Sequence, residues 1–211
     1  MTNAPHILAI DLGSSGPNVA FVSTTAEEVG GQFESIDLMQ LPDGGAEQDP
    51  APWWTPIAAA TRRARAACPD AEVAAIVVTA QWSGTVPVDA SGKALGNAII
   101  WMDGRGAPQV ADIINGPVRF QGYDIRKVRR WIQLTGGAPT AAGKDPIAHI
   151  LYLRDAQPDL YSKTRVFLEP KDYINFRLTG NAVASFESIT LHWLTDNRDP
   201  ANIDYHPDLL G

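Results

Sequence analysis

Ile7-Leu8-Ala9-Ile10-Asp11-Leu12-Gly13-Ser14-Ser15-Gly16-Pro17-Asn18-Val19-Ala20-Phe21-Val22 decides how this chain begins. The apolar run Ile7–Ile10 reads as a buried strand. The Gly/Ser turn after it is too short for a helical crossover, so Val19–Val22 returns antiparallel. Phe33–Leu41, with Ile36, Leu38 and Leu41 apolar, reads as a weaker third strand. Asp49-Pro50 offers an N-cap acceptor followed by a proline, a helix start. Trp54, Ile57, Ala58, Thr61, Ala64 and Arg65 keep helical spacing, which carries that helix to about Ala67. The β-branched run Val73–Thr79 is the next strand. The opening is therefore α/β but not a βαβ unit.

Downstream, Thr85–Val88 and Ala98–Met102 read as strands around the turn Ala90-Ser91-Gly92-Lys93. Helices are expected over Ala107 to about Ile114, Arg126–Leu134, Ile147–Arg154 and Lys171–Leu178, the last closed by Gly180. Val166–Leu168 reads as a short strand, and Ala182–Leu194 is ambiguous.

The chain has 211 residues, 45% of them hydrophobic and 8% aromatic, enough for a core of its own. Lys+Arg 17 against Asp+Glu 24 gives a net charge of -7, which argues against a nucleic-acid binder. No apolar run is long enough to cross a bilayer, and the first six residues lack the basic region of a signal peptide, so a cytoplasmic protein is expected. The lone Cys68 excludes an intramolecular disulfide and reads as a small residue near a helix end. His6, His149, His192 and His206 show no metal-ligand spacing.

Three segments carry chemistry. In the first, Asp11-Leu12-Gly13-Ser14-Ser15-Gly16, turn N–H groups can converge on an anion. A carboxylate at the strand end, Asp11, can hold a divalent metal. An ordinary hairpin turn with a solvated Asp is the plainer reading. In the second, Ala80-Gln81-Trp82-Ser83-Gly84, Gln81 and Ser83 offer hydrogen bonds and Trp82 a flat apolar face suited to a sugar. The position is the end of what reads as a central strand, where α/β sheets place ligands. A core-packed Trp82 is the alternative. In the third, Trp101-Met102-Asp103-Gly104-Arg105, Asp103 and Arg105 make either a polyol clamp or a local salt bridge. Gly137–Asp145 imitates a P-loop, but its glycine spacing is one too long and Asp145 stands where the hydroxyl belongs, so it reads as a loop.

Together these segments resemble the FGGY carbohydrate kinases, the group of xylulose, gluconate and glycerol kinases. The resemblance also takes in Gly45-Ala46-Glu47-Gln48-Asp49-Pro50 with Trp53-Trp54, Leu153–Pro158, Pro170–Ile174 and Leu178-Thr179-Gly180. It implies the ribonuclease H-like fold of actin and the sugar kinases: α/β, a mixed sheet opening on an antiparallel hairpin and flanked by helices. Residues 1–211 would form the N-terminal, sugar-binding lobe, with the C-terminal lobe absent from this chain. The implied reaction moves the ATP γ-phosphoryl to a hydroxyl of a small sugar or polyol such as a ketopentose. ATP and Mg²⁺ would be the cofactors, and a homodimer stays open. Asp11, Gly13, Ser14, Ser15 and Gly16 would bind phosphate, with Asp11 near the metal. Gln81, Trp82, Ser83, Asp103 and Arg105 would shape the sugar pocket. The general-base Asp belongs to the second lobe, so the lobe alone is expected to be inactive.

The chain departs from the family at four points. Asn18 replaces a Lys or Arg after the phosphate loop, Trp82-Ser83 a Met-His pair, and His149 a Lys. Ala184–Ser188 stands for an Asp/Asn-rich run. A kinase-derived sugar-binding or regulatory module without phosphotransfer is the alternative.

Overall fold

A computed structural model describes residues 5–210; the start of the N-terminal stretch read above for a leader lies outside them. The opening hairpin forms as expected. Strand β1 (His6–Gly13) pairs antiparallel with β2 (Gly16–Ser23), from His6↔Ser23 to Gly13↔Gly16. On the far side of β2 lies β3 (Glu28–Phe33). The third strand thus ends where Phe33–Leu41 was expected to begin. β3 is a polar edge strand, and its place is set by the short turn after Ser23 rather than by apolar alternation. Of the expected stretch, Phe33 closes β3 opposite Asn18, and β4 (Met39–Gln40) pairs with β5 (Ala46–Gln48).

Helix α1 (Trp54–Ala67) ends where expected, with Cys68 as its C-cap, but starts later. Asp49 accepts from Ala51 N–H in a turn ahead of the helix, and Trp53 is the N-cap. The proline-rich stretch after Asp49 lacks the backbone donors and the freedom to continue as helix at once. The chain then returns as β6 (Val73–Ala80), parallel to β1, giving the order β3-β2-β1-β6. β6 is therefore the edge of this sheet, where a central strand was expected.

The remaining elements are β7 (Val86–Val88), β8 (Ala98–Ile99), α2 (Ala107–Ile114), β9 (Arg119–Phe120) and β10 (Tyr123–Asp124). They continue with α3 (Ile125–Thr135), α4 (Pro146–Ala156), α5 (Pro158–Lys163), β11 (Val166–Leu168) and α6 (Pro170–Thr179). The chain closes with α7 (Phe186–Thr190), β12 (Thr195–Asp196), β13 (Asp204–Tyr205) and α8 (Pro207–Leu210). The ambiguous stretch Ala182–Leu194 thus holds one short helix, while α5 had no strong periodic pattern to reveal it.

The main core lies on one face of the sheet. Leu8, Ile10 and Leu12 of β1, with Val19 and Phe21 of β2, meet Trp53, Ile57, Ala60 and Ala64 of the α1 region and Tyr173 and Ile174 of α6. Alternation along β1 sends every second side chain to this face. A smaller cluster joins α2, α3 and α4 through Val110, Ile114, Trp131 and Ala148. No helix among the described residues is long and apolar enough to cross a membrane.

Candidate functional site

The three segments meet at one end of the sheet. Asp11 sits in β1 opposite Asn18 of β2 and Thr79 of β6. It is exposed, and among the described residues its carboxylate has no ion-pair partner. Such a carboxylate, beside a Gly/Ser turn, fits a Mg²⁺ ion that keeps its waters and takes phosphate oxygens. Among the described residues no group of three or more His, Cys, Asp or Glu side chains is placed to hold a metal.

Ser14 is the meeting point. Its hydroxyl donates to Gln81 Oε1 at 2.9 Å and accepts from Trp101 Nε1 at 2.9 Å. Gln81 Nε2 donates to Gln48 Oε1 at 2.6 Å, and Gln48 Nε2 donates back to the Ser14 carbonyl at 2.8 Å. Two residues absent from the expected site, Gln48 and Trp101, thus tie the phosphate-type loop to the sugar-type loop. Trp101 had at least a local hint, standing inside the third segment. Gln48 stood in the Gly45–Pro50 segment of the resemblance, with nothing in the sequence to tie it to either loop.

Within the second segment the side chains diverge. Trp82 is 60% exposed, so it is not packed in the core. Ser83 is buried, adopts a left-handed backbone (φ 57°), and donates to the Lys144 carbonyl at 2.8 Å. The false P-loop is thereby placed against the sugar-type loop as ordinary loop structure. Thr85 Oγ1 lies 3.1 Å from His149 Nδ1. His149 is fully enclosed, and burial pushes its pKa down to about 4, leaving a neutral imidazole where the family has a Lys.

Glu169, the N-cap residue of α6, lies beneath this loop, buried at 5% exposure. Burial pushes its carboxyl up to about 8, and the neighbouring Asp172 pushes it in the same direction. The Ser83 backbone N–H pulls the other way. One carboxyl oxygen of Glu169 has no hydrogen-bond partner.

The third segment is locked on itself. Asp103 accepts from Ala46 N–H and Arg105 N–H, both at 2.9 Å, and from Arg105 Nη2 at 2.7 Å. Arg105 also bonds Glu47, and Tyr152 through its hydroxyl, with the guanidinium 4.6 Å from that ring's centroid. Its side chain is 7% exposed. Burial opposes its charge, but Asp103 and Glu47 outweigh that and raise its pKa. The structure therefore brings Ser14, Gln81 and Trp101 into contact and leaves Trp82 open. Asp103 and Arg105 form a buried brace beside them.

The description "FGGY family of carbohydrate kinases, N-terminal domain" matches residues 6–196. The xylulose kinase of Bacillus subtilis is 30% identical over 179 residues, covering 83% of this chain and 33% of that protein. The Escherichia coli xylulose kinase is 27% identical over 186 residues, again 33% of its length. The chain thus spans about one third of the length of the curated relatives it matches. Among solved structures, the xylulose kinase of Rhodospirillum rubrum superposes with a TM-score of 0.83 at 21% identity, over 97% of this chain and 40% of that one. These neighbours share the fold, so the ribonuclease H-like, actin-like ATPase architecture expected from the sequence is borne out. The chain belongs to the FGGY family of carbohydrate kinases and matches that family's N-terminal domain.

Proposed function

We propose that this chain is the sugar-binding lobe of an enzyme that phosphorylates a small sugar such as a ketopentose with MgATP. One observation carries the reading. The Ser14 hydroxyl joins the phosphate-type loop to Gln81 and Trp101, while Trp82 stays open beside them. An anion-binding turn and an aromatic sugar platform are thus held at one sheet end, the juxtaposition that phosphoryl transfer to a hydroxyl requires. Backbone N–H groups of Gly13–Gly16 cradle phosphate, and Asp11 holds Mg²⁺, which neutralises phosphate charge when bound. Trp82 and Gln81 face the sugar, and Asp103 and Arg105 brace that wall from behind. The general base and adenine site belong to a C-terminal lobe that closes over this end. The names of the relatives, xylulose kinases throughout those cited, support a ketopentose.

Asn18 favours a second reading, a module that binds sugar without phosphotransfer. It pairs with Asp11 across the hairpin yet offers phosphate no positive charge. A thermal-shift series of the chain with pentoses, hexoses and polyols tests the sugar site that both readings share. Xylulose or a close ketopentose is expected to raise the midpoint, and Trp82→Ala to abolish the rise. If no sugar moves it, both readings fail. Phosphotransfer by the chain supplied with a relative's C-terminal lobe separates the two.

A further inference from the structure

Gln48 sits in neither loop. It lies in β5 and is 0% exposed, out of reach of anything outside the chain. Its amide nevertheless closes a ring: Ser14 Oγ to Gln81 Oε1, Gln81 Nε2 to Gln48 Oε1, and Gln48 Nε2 to the Ser14 carbonyl. Every bond in this ring pairs a donor with an acceptor, and Trp101 Nε1 adds a fourth donor at Ser14. The ring is partly buried, with its Gln81–Gln48 bond fully so, and a polar network whose donors and acceptors are matched this way favours a single orientation of each member.

We infer that Gln48 is a positioning residue that fixes the phosphate-type loop relative to the sugar-type loop. This rests on the function proposed above. It assigns Gln81 a linking role, since the Gln81 amide oxygen and one amide hydrogen are spent on the ring. The Ser14 carbonyl is the critical atom. Held by Gln48, it sets the peptide plane that follows it, and so the direction in which the turn N–H groups point. A sugar pressing on the Gln81 loop and an anion on the Ser14 loop are then read by one rigid body.

The test uses the full chain and Gln48→Met, which keeps the length of the side chain and removes its amide bonds to Ser14 and Gln81 together with a long one, 3.5 Å, to the Asp37 carbonyl. Amide hydrogen exchange of Gly13–Gly16 and Gln81–Ser83 is expected to rise roughly tenfold, while Leu8 and Val19 in the sheet change less than about twofold. Gln81→Met should loosen the same amides, and the double variant should exceed neither single variant, because one ring is broken either way. Unchanged loop exchange, additive effects, or acceleration spread equally through the sheet would overturn the ring. Calorimetric titration with D-xylulose is the second readout. Gln48→Met should weaken binding by at least about threefold although Gln48 touches no ligand. Equal affinity overturns the role in sugar binding. If the parent chain binds no xylulose, the proposed function fails for that sugar and takes the sugar role of Gln48 with it. The exchange result still decides the ring.

Discussion

Two residues show how burial, rather than type, sets behaviour at the site. Glu169 is held up at about 8 by burial first and then by Asp172, so at neutral pH it keeps its proton. An ordinary Glu in the unfolded chain titrates near 4.5. The stability of the folded form is thus complete below pH 4.5 and is lost as pH rises through about 8. A tenfold difference in proton affinity between the two states is worth about 1.4 kcal/mol, so the loss amounts to a few kcal/mol in all. Urea denaturation between pH 7 and pH 9, above the range in which the buried His149 and His192 contribute, should show the decline in the parent and its loss in Glu169→Gln; equal slopes would place the effect elsewhere. Asp103 is the converse, a buried carboxylate paired with Arg105. Asp103→Ala should cost about 3 kcal/mol, because it leaves the enclosed guanidinium with Glu47 as its main partner. A chemical-denaturation loss under about 1 kcal/mol would mean that Arg105 escapes to water. At this scale the sequence revealed residue types that can do the chemistry, such as Gln81, Ser83, Asp103 and Arg105. It could not reveal that Gln48 bonds Ser14 and Gln81, or that Glu169 is buried against the Ser83 backbone, because those partners lie far along the chain.

Among the elements, those fixed by local chemistry were legible. The hairpin follows from its short turn, and α6 ends at Gly180, whose φ of 74° only glycine adopts without strain. The third strand and the start of α1 were misread because tertiary pairing and a proline-rich lead-in overrode the local pattern. The turn between β1 and β2 makes a sharper demand than the helix end. Gly16 has φ 141°, and a Cβ there would stand 1.9 Å from the Glu34 carbonyl oxygen. At Gly180 the space is open. Gly16→Ala should therefore cost about 3 kcal/mol, since strain and a backbone clash add. Gly180→Ala should cost about 1 kcal/mol, from conformation alone. Thermal melts of the two variants side by side check the ranking, and a lower midpoint for Gly180→Ala would refute it.

For the whole molecule, the lesson lies in β6, the edge strand of the sheet. The core fills the face of Leu8, Ile10 and Leu12, yet β6 stays exposed on both faces: Ile76, the partner of Leu8, at 47% on the core side, and Val77, the partner of Ala9, at 52% on the other. A β-branched run such as Val73–Thr79 looks central because strands pairing in parallel are usually covered on both faces. Composition cannot say whether the cover comes from these residues or from others. Among the described residues it does not, and the outer edge of β6 pairs with no strand. That edge has neither charge nor proline to discourage pairing. Under the proposed function the second lobe, or the segment leading to it, covers this surface. Studied alone, the chain should bind a hydrophobic dye and self-associate as concentration rises, by light scattering. Val77→Lys should suppress both while changing unfolding free energy by no more than about 0.5 kcal/mol, because the side chain it replaces already faces water. A loss the size of a core substitution would show that Val77 is covered within the chain, and the open face would then not exist.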